Sequence, residues 1–122
     1  MANKNPKVYI PDHEYGEGSY VIGKKRWQMS TLQEAVKHLP VFDLQLAAID
    51  LSSTAWDVSN IAVYMYHHKR VEKANLKYPV ILDPTGYVID GWHRIVKAIL
   101  KGKTEIKAVK LNVMPEPDVI SE

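Results

Sequence analysis

The sequence contains no cysteine. That absence excludes disulfides, thiolate metal sites and a cysteine nucleophile together, while leaving the redox compartment open. It has a single phenylalanine, and no apolar run approaches the length a bilayer crossing needs,. Charge of one sign is also lacking: 16 basic residues against 14 acidic ones leave a formal net charge of +2. A balance that even does not argue for nucleic acid by itself. Met1 to Lys7 is polar and offers no apolar stretch for a secretory leader, so the expectation is a cytoplasmic protein with no membrane association,.

What is present suits one globular unit. A length of 122 residues is one domain's worth,. At that size folding buries roughly two-thirds of the surface of the unfolded chain, so no metal is required for stability. There is no internal repeat, low-complexity tract or long linker. Residues 1–18 read as an irregular lead-in, 19–114 as a single domain and 115–122, with Pro115 and Pro117, as a loose tail,.

Pattern then gives the elements. Ser19-Tyr20-Val21-Ile22 reads as a short strand ended by Gly23. Ser30 and Gln33 form a capping box for a helix with Leu32, Ala35, Val36 and Leu39 inward, stopped by Pro40,. Phe42, Leu44, Leu46 and Ala48 alternate with their neighbours, which predicts a strand with one buried face,. Asp50 to Thr54 is a polar connection, and Asp57 caps a helix to about Ala74 whose stripe is Val58, Ile61, Ala62 and Met65,. Tyr78 to Leu82 is a strand that Pro79 confines to an edge or to its first residues,. Asp83-Pro84-Thr85-Gly86 has type I turn chemistry, and Tyr87 to Asp90 returns as the hairpin partner,. Trp92 to Lys101 is a helix stopped by Gly102, and Thr104 to Val113 a last strand whose alternation slips, as at a bulge, near Ala108-Val109,. Strand, helix, strand, helix, hairpin, helix, strand gives an α+β fold with a small mixed sheet.

Chemistry concentrates at Asp90-Gly91-Trp92-His93-Arg94, where a strand runs directly into a helix. The first N–H groups of a helix have no internal partner, and the macrodipole places about half a positive charge there. Gly91 removes a side chain where a ligand would approach the backbone. His93 and Arg94 add an imidazole and a guanidinium, the latter suited to bidentate phosphate binding. Each cation opposes the dipole by roughly 0.3–1 kcal/mol if exposed, a penalty that a bound anion reverses. The same residues have a purely structural reading: Asp90 as a cap, Arg94 paired with Asp90 or Asp83, and His93 hydrogen-bonded in place.

This five-residue run, with the hairpin before it and the apolar helix, Gly102 and strand after it, resembles the D-G-x-H-R signature of the ParB/sulfiredoxin superfamily. The resemblance covers about Leu44 to Leu111 and is strongest from Tyr78 to Gly102. It implies a ParB/sulfiredoxin-like fold and phosphates held by Asp90, Gly91, His93 and Arg94. Sulfiredoxins carry Cys where Trp92 stands, so sulfinic-acid reduction is not implied. ParB proper carries a G-E-R-R type motif and a helix-turn-helix, and this sequence shows neither, so centromere binding is not expected. The free-serine kinase branch has a closely similar motif and adds an acidic base, for which Asp50 or Asp57 is a candidate. Some small relatives are nucleases. Asp50 and His93 are therefore the candidate catalytic residues, no metal ligands are assigned, and a nucleotide with Mg2+ is the implied cofactor.

Two functions remain: an accessory module, such as a phage or mobile element encodes, binding a nucleotide, nucleic acid or protein; and a nucleotide-dependent phosphotransferase or a nuclease. An acid facing the Gly91–Arg94 turn distinguishes them. Trp92 reads as packed rather than stacking on a base, and Trp27, Tyr64 and Tyr66 as core or interface. The basic runs Lys24-Lys25-Arg26 and His67-His68-Lys69-Arg70 read as solvated faces, and a nucleic-acid footprint would require them to converge. His67 and His68 diverge by about 100° on a helix, so they do not share a metal and read as surface. His13-Glu14 carries no metal role.

Overall fold

The computed structural model describes residues 5–10, 18–52, 54–56 and 58–122. Ser53, Asp57, His13 and Glu14, discussed above, lie outside the described residues. The fold is α+β, with three helices and two small sheets among the described residues. The strands are β1 (Ser19–Ile22), β2 (Lys25–Gln28), β3 (Phe42–Gln45), β4 (Val80–Leu82), β5 (Val88–Asp90), β6 (Glu105–Lys110) and β7 (Val119–Ile120). The helices are α1 (Met29–Ala35), α2 (Ile61–Lys73) and α3 (Trp92–Leu100).

The four-stranded sheet has the order β3-β6-β4-β5, with β4 and β6 parallel and the outer pairs antiparallel. Its two inner strands bury side chains on both faces, as the pleat requires of a covered sheet. Val80, Leu82, Ile106 and Ala108 pack with Leu46 and with Ile95 and Ala98 of α3. Ile81, Ile89, Val109 and Leu111 pack on the other face with Trp27 and Leu32. This two-sided burial explains the slip at Ala108-Val109. Both residues are buried, on opposite faces, and pair with Val80 and Ile81 without a bulge. The register irregularity lies instead between β4 and β5, at Ile81/Leu82.

β4 is an inner strand, and Pro79 stands just before it, where its missing N–H is harmless,. The Asp83-to-Gly86 turn forms as expected: Gly86 N–H donates to the Asp83 carbonyl at 3.0 Å. The Asp83 carboxylate also accepts from Thr85 N–H, Thr85 Oγ1 and Tyr87 N–H at 2.9, 2.7 and 2.9 Å. Burial acts to raise the Asp83 pKa, but these bonds outweigh it and hold the carboxyl below its ordinary value,. α3 ends as read. Gly102 N–H bonds to Ile99 O and Lys103 N–H to Ala98 O, with Gly102 at φ +77°,.

Several expectations fail, each for a physical reason. Ser30 does not cap α1: β2 runs unbroken into the helix, so Gln28 is the N-cap and makes no side-chain cap bond. Asp118 serves that end, accepting from Gln28 N–H at 2.8 Å and Thr31 Oγ1 at 2.9 Å. Residues 115–122 are accordingly not loose. β7 pairs with β2, and Trp27 Nε1–H donates to the Pro115 carbonyl at 2.8 Å. The Lys24-Lys25-Arg26 run, exposed as read, completes the turn of a β1–β2 hairpin and begins β2, a strand that its charge hides. The alternation from Phe42 stops at Gln45, and Leu46–Ala48 is a 3-10 turn.

α2 starts later than read, with the Asn60 side chain accepting from Val63 N–H at 3.0 Å. Its inward face is also different. Tyr66, His67 and Val71 are buried, whereas Ile61 and Tyr64 are exposed. Val63, Tyr66, His67, Arg70 and Val71 fit the same helical template as the stripe read from sequence. A hydrophobic pattern passes over them because His and Arg count as polar.

Candidate functional site

Gly91 is the whole connection between β5 and α3, at φ +113°, a conformation that favours glycine,. A Cβ at Gly91 would stand 2.5 Å from Val80 Cγ1 and 2.8 Å from Val80 Cβ. The glycine is thus required by the close crossing over β4, a nearer cause than ligand approach. Arg94 Nη1 donates to the carbonyls of Tyr78 at 2.9 Å and Pro79 at 2.8 Å, and Nη2 reaches Asp90 Oδ2 at 3.2 Å. Of the structural alternatives, the Arg94–Asp90 pair is the one that forms. Asp90 does not cap α3, whose N-terminus has no side-chain cap. With three of a guanidinium's five N–H groups so engaged, Arg94 mainly ties α3 to the start of β4.

His93 has more company than its sequence neighbours suggest. Its Nε2 lies 2.9 Å from Nδ1 of His67 across the α2–α3 contact, so one of the two nitrogens donates and the other accepts,. Trp56 stacks over both imidazoles, with ring centroids 4.2 Å from His93 and 4.7 Å from His67. Burial, followed by the positive charge of Arg70 and then by His67 and Arg94, pushes the His93 pKa down to about 3. Burial also lowers His67, which is 3% exposed. Both rings are therefore neutral near pH 7, and His93 acts as a dipolar hydrogen-bonding group. His67 is not at the surface as expected. His68 is exposed and pairs with Glu72 at 2.8 Å, as the 100° divergence requires,.

The turn opens onto a cleft of about 410 Å³ between α2 and α3. Gly91, His93, Arg94 and Asp90 form one side, and Lys69, Arg70 and Lys73 of α2 the other. The basic run of α2, read from sequence as a solvated face, therefore lines the space in front of the α3 N-terminus. Lys69 and Lys73 sit a turn apart on one face, with Arg70 beside them, also held by Tyr66 Oη at 3.0 Å,. Among the described residues lining the cleft, five basic or imidazole side chains stand with one carboxylate, Asp90, which is paired with Arg94.

No protein-family model, curated protein or solved structure matches this chain.

The remaining sequence candidates are placed as follows. Asp50 is exposed and accepts from Ser52 N–H at 2.9 Å and Ser52 Oγ at 2.6 Å. These bonds, the side-chain one foremost, lower its pKa. Asp50 closes its own turn and is not among the residues lining the cleft. Asp57, the other candidate acid, lies outside the described residues. Trp92 packs against the core beside Ile95 and Ala98 and does not line the cleft. Trp27 and Tyr66 are buried as read. Among the described residues no group of three or more His, Asp and Glu side chains is arranged to hold a metal ion, and no helix is long and apolar enough to cross a membrane. Trp56, His67, Lys69, Arg70 and Lys73 are the site residues that sequence reasoning missed. The one signal for His67 and Lys69 was the basic run on α2; Trp56 sits in an irregular connection with no periodicity to mark it.

Proposed function

We propose that this chain is a ParB/sulfiredoxin-like binding module whose α2–α3 cleft takes a phosphate-bearing ligand, with a nucleotide the class that the resemblance implies. One observation carries the reading: Lys69, Arg70 and Lys73 line the same cleft as the Gly91–Arg94 turn. An anion there gains their charge, the dipole of α3 and the first-turn N–H groups, which no intrahelical carbonyl satisfies. His93, neutral, can donate or accept at the rim. A cytoplasmic setting goes with such a ligand, and the module reading accommodates a nucleic-acid or protein partner. The enzyme reading, a phosphotransferase or nuclease with Mg2+, requires an acid in the cleft beyond the ion pair that Asp90 makes with Arg94, and Asp50 does not supply one.

Thermal-shift measurements with ATP, ADP, GTP, CTP and inorganic phosphate, with and without magnesium, test the proposal. A ligand at 100 times its Kd adds about 2.7 kcal/mol to a domain it binds only when folded. The informative variant is Lys69→Ala/Lys73→Ala, because Arg94→Ala would orphan two carbonyls and lower stability by itself. A stabilisation present in the parent and lost in the double variant supports the site. No stabilisation by any of the five ligands refutes it.

A further inference from the structure

Val58, Ile61, Ala62 and Met65 repeat at the spacing that normally marks the buried stripe of a helix,. In the fold that stripe faces outward. Ile61 is 76% exposed, its neighbour Tyr64 56% and Val58 48%, while Ala62 is exposed and Met65 half-buried. α2 meets the core through Tyr66, His67 and Val71 instead. A single aliphatic side chain in water needs no explanation, but a helical row of them does. Together these side chains present roughly 350–400 Å² of apolar surface, the size of the functional patches found on soluble proteins.

We infer that this face joins two copies of the chain, their α2 helices packing antiparallel about a two-fold axis beside Met65. The inference does not rest on the anion reading of the cleft. Area supports a second copy. Doubled across a two-fold contact the patch gives roughly 700–800 Å², and the polar rim of Asn60, His68 and Glu72 carries the total past the ~1,000 Å² that a specific interface needs. Charge selects the antiparallel arrangement. The N-terminal end of α2 is the positive end of its dipole and holds no acidic residue in its first turn, and Asn60 accepts from one N–H there, that of Val63,. At the other end the Glu72 carboxylate is exposed and is steered by His68 at 2.8 Å. Antiparallel pairing about Met65 sets Glu72 of each copy within about one helical turn of the other helix's N-terminus. It also lays Ile61 over the Tyr64 and His68 rings of the second copy, which stand 6.0 Å apart. Parallel pairing would set the two Glu72 carboxylates against each other.

Sedimentation equilibrium between about 1 and 500 µM tests this, since an interface at the small end of the specific range predicts a dimer with a Kd on the order of 10–100 µM. Ile61→Glu should weaken association at least tenfold. Its Tm in dilute solution should stay at the parent value, because the helix dipole favours an acid in the first turn. Val21→Glu, at an exposed apolar position on β1, should leave the dimer unchanged. The chain has no cysteine, so single replacements report the geometry. Met65→Cys, at the axis, should form a disulfide-linked dimer on mild oxidation. Glu72→Cys should not, its two copies lying about 20 Å apart. A protein that stays monomeric throughout, including one that binds phosphatidylcholine vesicles through α2, overturns the inference. Equal association by parent and Ile61→Glu, or cross-linking of Glu72→Cys as readily as Met65→Cys, overturns it as well.

Discussion

Replacing Gly91 by alanine tests the mechanical basis of the whole site. Two penalties add. A residue with a side chain held at φ +113° carries backbone strain of about 1–3 kcal/mol,. The new Cβ would also stand 2.5 Å from Val80 Cγ1, and Val80 is fully buried and cannot step aside without disturbing the sheet. Overpacking of this kind typically costs about 1–3 kcal/mol. The sum, about 2–6 kcal/mol, is a large fraction of the 5–15 kcal/mol that usually holds a domain together. Urea unfolding of parent and Gly91→Ala measures it directly, and the middle of the range corresponds to a fall in Tm of roughly 12–20 °C. Adding Val80→Ala removes the 2.5 Å contact but leaves the one at 2.8 Å, because alanine keeps its Cβ. The double variant should therefore be about 1 kcal/mol more stable than the sum of the single effects. A Gly91→Ala protein within about 0.5 kcal/mol of the parent, or strict additivity with Val80→Ala, would refute the reasoning. A stable Gly91→Ala that had lost only ligand binding would return the glycine to the role first read from sequence.

Three further outcomes follow from particular contacts. Asp118→Ala removes the acceptor for Gln28 N–H and Thr31 Oγ1 and should destabilise by about 1 kcal/mol in chemical unfolding; no change would mean that the tail does not hold α1,. Asp83→Ala strips three bonds from the β4–β5 turn and should cost about 2–3 kcal/mol, with Asp83→Asn intermediate,. An effect equal to that of an exposed loop substitution would contradict the turn's role. Unfolded imidazoles take up protons below about pH 6.5, whereas folded His93 stays neutral down to about 3 and His67 is also depressed,. The unfolded chain therefore binds more protons between those limits, and stability falls as pH drops from 6.5 toward 3,. The slope should stay below about 1.4 kcal/mol per pH unit for each histidine, since His93 is partly solvated and screened. Unfolding at pH 7, 6 and 5 in parent and His93→Phe measures this; a stability that rose on acidification would refute it.

The α+β class and most of the second half of the fold were legible because local chemistry decides them. Asp83-Pro84-Thr85-Gly86 can do little but turn, and Gly102 ends α3 through its own backbone bonds. Elements decided by distant partners were not legible. β2 exists because it pairs with both Ser19–Ile22 and Val119–Ile120, and no window around Lys25 contains those partners. β6 loses its alternation because both of its faces are covered, a property of the sheet rather than of the strand. In the site, Asp90, Gly91, His93 and Arg94 were visible as a motif. Trp56 and His67 were not, because stacking over two imidazoles and an inward-facing histidine leave no apolar periodicity to read.

The motif and the site are consequently different things in this molecule. Gly91 is explained by Val80, Arg94 by two carbonyls and Asp90, and Asp90 by Arg94. Each could be retained for the strand-to-helix junction alone, with no ligand in view. Lys69, Arg70 and Lys73 meet the same cleft from α2, an element outside the motif. Burying a histidine pair neutral beneath a tryptophan likewise sacrifices stability in acid without adding apolar packing that phenylalanine would not supply,. The junction therefore sets the position of the α3 N-terminus, and on the proposed reading the α2 side chains that meet it govern which anion is taken. On that division of labour, the proposed anion site predicts that Lys69→Ala/Lys73→Ala, with the motif intact, keeps its fold and loses stabilisation by phosphate.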